Sequence, residues 1–205
     1  MQTVRGDEAS VERRLVRGLL RCACSGVLGP WGWARERAIR RLPEPVRPRR
    51  GRCRSCRVTH VLLPAVLFVR RAFAGAVIWA CVLARAAGSK IAAIGARFGI
   101  AASTVASWLR RVTGRAQWWR GMLMDVLALV DPTVRLFVPA RTVLGDAMAV
   151  LDVVLAVLRG RGGQMATLTA WELASHLTRA HLFASFLDVD GCNTSLFGVR
   201  AQTSS

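Results

Sequence analysis

Residues 89–112, SKIAAIGARFGIAASTVASWLRRV, constrain this chain more than any other stretch. Apolar Ile94, Phe98 and Ile100 bracket Gly99, Val105 and Trp108 follow at helical spacing, and the small residue Gly95 lies one turn before Gly99. Two short helices that cross at a wide angle bury only a few side chains, so each buried position is narrowly typed, and the turn needs a residue tolerant of positive φ. The pattern predicts a helix-turn-helix with Gly99 in the turn and a second helix over Ala102 to Val112. In such a unit the early residues of the second helix, Ala102, Ser103, Thr104 and Ser107, point at base edges in the major groove. Arg110 and Arg111 follow one turn later, where long cationic side chains reach phosphates. Ala101 offers no side-chain cap, and Gly95 costs about 1 kcal/mol inside a helix. The competing reading is a plain helical hairpin in an Ala-rich core.

The net charge of +18 points the same way. Fifteen of the 29 arginines lie in residues 1–60 against five acids, a concentration suited to the phosphates of double-stranded DNA. An anionic membrane surface would also attract it. The most apolar region, Val61 to Leu83, is interrupted by Pro64 and the Arg70-Arg71 pair, well short of the about 20 apolar residues a span needs, so no integral membrane association is expected. The opening MQTVRGDEAS does not read as a secretory signal. A cytoplasmic location follows as an expectation, with the six cysteines reduced and available for metal binding or burial.

The predicted fold is mainly α: a helix-turn-helix bundle preceded by a small zinc-ribbon-like β-hairpin and followed by amphipathic helices. Residues 1–20 read as a polar, partly helical lead-in, and 21–62 as a ribbon-like segment punctuated by glycine and proline, with Trp31 to Arg41 and Val46 to Arg54 as the hairpin strands. The helix-turn-helix domain takes 66–114. Its first helix, 66–87, is expected to be buried through Phe73, Val77, Ala80, Leu83 and Trp79 and to end at Gly88. C-terminal helices fill 115–187: one over Ala116 to Val130, one carrying Leu144, Met148, Leu151, Val154, Leu155 and Leu158 with Asp146 and Asp152 on a solvated face, and one opening with a Thr169/Glu172 capping box and a Leu168–Leu173 staple and running toward Leu187. These helices either cap the bundle or pair a homodimer across a two-fold axis. Residues 188–205 read as a disordered tail.

Cys22-Ala-Cys24 and Cys53-Arg-Ser-Cys56 flank the predicted hairpin. Two cysteine pairs at the ends of a hairpin can close a tetrahedral thiolate site for zinc. The second pair has knuckle spacing. The first is one residue short, with Arg21 where a Cys-x-x-Cys knuckle would begin, and His60, four residues after Cys56, is an alternative fourth ligand. Either the segment holds zinc, or it is a ribbon that has lost its metal and keeps Cys53 and Cys56 as small buried residues. Cys81 is expected in the core and Cys192 in the tail.

The stretches CACSGVLGPWGWARERAIRRL, RCRSCRVTHVLLP and ARFGIAASTVASWLRR together resemble an actinobacterial family of helix-turn-helix proteins with an N-terminal zinc-ribbon-like segment, related to the DNA-binding front end of insertion-sequence transposases. The resemblance covers residues 20–112. It implies DNA binding, with Cys24, Cys53 and Cys56 as metal ligands and Ser103, Thr104 and Ser107 facing the groove. Transposases cut with a carboxylate triad that holds two metal ions. The acids after residue 112 (Asp125, Asp131, Asp146, Asp152, Glu172, Asp188 and Asp190) do not fall where a nuclease sheet would place them, and His176 and His181, five apart, do not share a helix face. No catalytic site is expected. The alternative to a DNA-binding protein is a protein-interaction scaffold in which the helix-turn-helix is architectural.

Overall fold

The computed structural model describes residues 2–4, 8–68, 71–134, 140–178 and 182–183. Its elements in chain order are β1 (Gln2–Val4), α1 (Glu8–Val16), β2 (Leu28–Trp33), β3 (Arg49–Cys53), β4 (Thr59–Pro64), α2 (Gly75–Ala86), α3 (Ile91–Phe98), α4 (Ala102–Thr113), α5 (Ala116–Val130), α6 (Val143–Gly160) and α7 (Ala170–Leu177). Mainly helical composition, with a small sheet in the N-terminal third, agrees with the sequence reading. α7 stops at Leu177, short of the expected Leu187, because Thr178 leaves the helical conformation (φ −94°, ψ +8°) and its hydroxyl turns back to Ala174 O at 2.7 Å; the tail, His181 and Cys192 lie outside the described residues.

The sheet is larger than a hairpin. Its order is β1-β4-β3-β2, with β2, β3 and β4 antiparallel and β1 parallel to β4. The residues expected to be a lead-in are built into it: Val11 and Leu15 of α1 are buried with Val4, Leu20, Leu28, Cys53 and Leu62 in one small core. α1 lies so close to β3 that a side chain at Gly51 would touch Leu15 at 3.3 Å. The paired strands are Leu28–Trp33 and Arg49–Cys53, rather than Trp31–Arg41 and Val46–Arg54. Pro30 pairs with Gly51 and Trp33 with Arg49, so the register shifts between them, and Gly32 takes φ +84° in this bulge.

The helices enclose one apolar core. Ile78, Trp79, Cys81 and Val82 of α2, Ile94 of α3, Val105, Trp108, Leu109 and Val112 of α4, and the inner faces of α5 to α7 all belong to it. Leu144, Met148, Leu151, Val154, Leu155 and Leu158 of α6 are all buried there, so this stripe caps the bundle within the chain. α7 opens with the expected capping box: Thr169 accepts from the Glu172 N–H, and Glu172 accepts from the Thr169 N–H at 3.0 Å.

Three expectations for the helices need correction. α2 starts at Gly75 instead of residue 66, because Arg40 pairs with the backbone on either side of Phe73 (Arg40 N–H to Ala72 O, 2.7 Å; Ala74 N–H to Arg40 O, 3.1 Å) and holds that stretch extended. The buried face of α2 is Ile78, Trp79, Cys81 and Val82; Leu83 is 44% exposed and Ala80 half-buried. Likewise Asp146 is not on a free face: it accepts from the Ala140 N–H and lies 3.9 Å from Arg120. No helix among the described residues is long and apolar enough to cross a membrane.

Candidate metal centre and nucleic-acid surface

The sulfurs of Cys22, Cys24, Cys53 and Cys56 all lie within 4.8 Å of one another. Cys22 Sγ is 3.6 Å from Cys56 Sγ, and Cys24 Sγ is 3.5 Å from Cys53 Sγ. Four thiolates about 2.3 Å from one ion stand about 3.8 Å apart in a tetrahedron, so the spacing fits zinc.

The short Cys-x-Cys loop achieves this because it is a knuckle with one residue removed. In the second loop the Cys53 N–H donates to Val58 O at 2.9 Å and Arg57, immediately after Cys56, takes φ +63°. In the first, the Cys22 N–H donates to Gly26 O at 2.8 Å and Ser25, immediately after Cys24, takes φ +65°. The tighter loop depends on Gly26, where a Cβ would lie 2.6 Å from Cys53 Sγ. Arg21, in the first-cysteine position, pairs with Val27 and leaves the fourth ligand to Cys22.

His60 does not replace a cysteine. Its Nε2 lies 3.2 Å from Cys22 Sγ, and burial lowers its pKa, so the neutral ring is a hydrogen-bond partner for a sulfur that a metal would hold. Burial alone would raise the Cys53 thiol, but the Cys56 N–H, the Cys24 thiol and the Ser55 N–H directed at its sulfur bring it down to about 6. The donor set is that of a structural site with every position filled by protein.

The second candidate surface is α3, its turn and α4. Gly99 closes α3 in the left-handed conformation, φ +62° and ψ +42°, and Arg41 donates to Phe98 O at 2.9 Å. Gly95 is where the helices meet: a Cβ there would lie 2.8 Å from Ile100 O. Ile94, Ile100, Val105 and Trp108 are buried as the spacing requires, and Phe73 meets Trp108 edge-on at 5.1 Å. Phe98 is only half-buried.

Of the groove-facing candidates, Ala102 and Ser103 are exposed and Thr104 is half-buried at the open start of α4. Ser107 and Arg111 are not independent: Arg111 donates to the Ser107 carbonyl at 3.1 Å and to its hydroxyl, so Ser107 positions a guanidinium instead of presenting a free hydroxyl. Arg110 is exposed. Sequence reasoning missed Arg71 and Arg115, whose guanidiniums lie near Arg111 and donate to Phe183 O and, at 2.7 Å, to Leu182 O. No family model, curated protein or solved structure matches this chain.

Proposed function

We propose that the chain is a double-stranded DNA-binding protein that docks α4 in the major groove as the second helix of a helix-turn-helix, with a zinc-stapled ribbon gripping the neighbouring backbone. The observation that carries the reading is the division of α4. Val105, Trp108, Leu109 and Val112 are buried, while Ala102 and Ser103 stand exposed at its N-terminal end and Arg110 toward its C-terminal end. Short residues at the tip let the helix approach base edges, and arginine one to two turns later suits phosphate. Zinc, held by Cys22, Cys24, Cys53 and Cys56, would supply structure, fixing the ribbon beside α3. The reading is of a binding protein without a catalytic site, either transposon-derived or regulatory.

Duplex binding measured between about 50 and 200 mM salt is the test. Several phosphate contacts make affinity fall by orders of magnitude over that range. Replacing Ser103 and Thr104 by Ala should relax sequence preference by about 1–3 kcal/mol at one or two base pairs, whereas Arg110→Ala should weaken all sequences together and reduce the salt slope by about one unit. Equal preference and equal affinity in both variants would remove α4 from the DNA and leave the architectural alternative.

A further inference from the structure

The ribbon carries an aromatic and cationic surface that the zinc site and α4 do not use. In a regular strand Trp31 and Trp33 would share a face. The bulge at Gly32 separates them. Trp33 stays on the α1 side, with the Arg49 guanidinium 4.7 Å from its ring and Arg49 paired to Glu12 of α1. Trp31 is turned to the opposite side, 49% exposed, with the Arg52 guanidinium 4.4 Å from its ring centre. The strand register places Arg50, Arg52, Thr59 and Val61 on this outer side, because Gly51 between the two arginines faces Leu15 of α1. Arg52 is pinned by its Nε bond to Arg57 O at 3.0 Å. Arg54 lies over Gly29 on the same side, since a side chain at 29 would meet its Nε at 3.4 Å. None of β2, β3 and β4 contributes an acid.

We propose that the Trp31 end of this outer face binds single-stranded nucleic acid, with one unpaired base stacking on the Trp31 ring and Arg52 and Arg54 following the backbone. An exposed indole beside the pinned Arg52 guanidinium, with Arg54 close by, offers the two things an unpaired strand requires, a π-face for a base and positive charge for phosphate. β2 is the last strand of the sheet, so no strand flanks Trp31 on its far side among the described residues. Pro30 and the Gly32 bulge also make β2 a poor edge for pairing with another chain. The inference extends the DNA-binding reading from duplex to a duplex beside a single-stranded end.

The full-length zinc-loaded chain should be titrated against one duplex, blunt or with a single-stranded oligo-dT tail, and against oligo-dT alone. The tail should tighten wild-type binding, and Trp31→Ala should erase about 5- to 100-fold of that gain while blunt-duplex affinity holds. Trp31→Phe, which keeps a stacking ring, should retain most of it, and unchanged zinc content in both variants shows that the ribbon is intact. Equal wild-type affinity for blunt and tailed duplexes, or a Trp31→Ala variant that keeps the preference, overturns the proposal. Trp31-dependent binding of oligo-dT without blunt-duplex binding would support this face and remove the α4 reading instead.

Discussion

His60 is one hydrogen bond away from the ligand sulfurs, and its worth can be measured without touching a ligand. Replacing it by Phe removes the imidazole partner of Cys22 Sγ, leaves the neighbouring Cys56 Sγ in place and keeps a ring of similar size on β4. Losing such an outer partner typically costs about 10- to 100-fold in metal affinity. Competition with a chelator of known affinity should read that loss, whereas a neutral result would make His60 a bystander. The Glu12–Arg49 pair tests the seam between α1 and the sheet. Arg49 Nε donates to Glu12 Oε2 at 2.6 Å, and that hydrogen bond holds the carboxyl below its ordinary value of 4.5. Because the folded pKa is the lower one, the contribution is fully present above pH 4.5 and is lost as the pH falls through the folded value. Glu12 is 39% exposed, so solvent screening keeps the contribution under about 1 kcal/mol. The Tm difference between wild type and Glu12→Gln should be a small deficit at neutral pH that closes on acidification. A deficit that persists at low pH would place its cause in packing.

At the scale of elements, Gly95 and Gly121 form a matched pair. Both are helical glycines, and replacing either by Ala should gain up to about 1 kcal/mol from helix propensity alone. At Gly121 of α5 a methyl group would meet nothing within 4 Å, so Gly121→Ala should keep that gain and raise Tm by a few degrees. At Gly95 the methyl would lie 2.8 Å from Ile100 O, a backbone atom in the turn that cannot swing away. Overpacking of that kind costs about 1–3 kcal/mol, so Gly95→Ala should lower Tm by a few degrees even as Gly121→Ala raises it. Differential scanning calorimetry of the two variants decides this, and equal Tm gains would show that α3 and α4 do not touch there. The same elements show where sequence was sufficient. α5 runs from Ala116 to Val130 as its periodicity implies, and the capping box of α7 forms, because periodicity and caps are local properties. The start of α2 was not legible: residues 72–74 are kept out of the helix by Arg40, more than 30 positions upstream, which pairs with their backbone. β1 was hidden for the same reason, since three residues paired in parallel with β4 leave no periodic trace. The four cysteines were legible as a set. What the spacing concealed was that Ser25 and Gly26 let the shorter loop close.

On the scale of the whole molecule, the ribbon and the helices are not two beads on a string. Ile39 and Leu63 of the ribbon are buried with Leu67 and Ala74 in a small core of their own, against which Val77 of α2 packs. Arg41 bonds the end of α3, and the Arg40 guanidinium lies 5.3 Å from the Phe73 ring, which itself packs edge-on against Trp108 of α4. Loss of the proposed zinc should therefore propagate along this path, rather than stop at residue 62. Since a structural zinc contributes its binding free energy to folding, chelation should unfold the two cysteine loops and the sheet. It should also loosen α3, the start of α2 and the Trp108 turn of α4, whose contacts run through Arg40, Arg41 and Phe73. The α5–α6 pair packs mainly on itself within the shared helical core, at a distance from the Arg40, Arg41 and Phe73 contacts, and should stay protected. Amide hydrogen exchange with and without chelator reads each region in one experiment. Faster exchange in residues 20–64 and around Ile94–Ala101, with α5 and α6 unchanged, is the expected pattern. If exchange rises only within the ribbon, the Arg41 and Phe73 contacts do not couple the units, and the proposed zinc cannot influence how α4 is held.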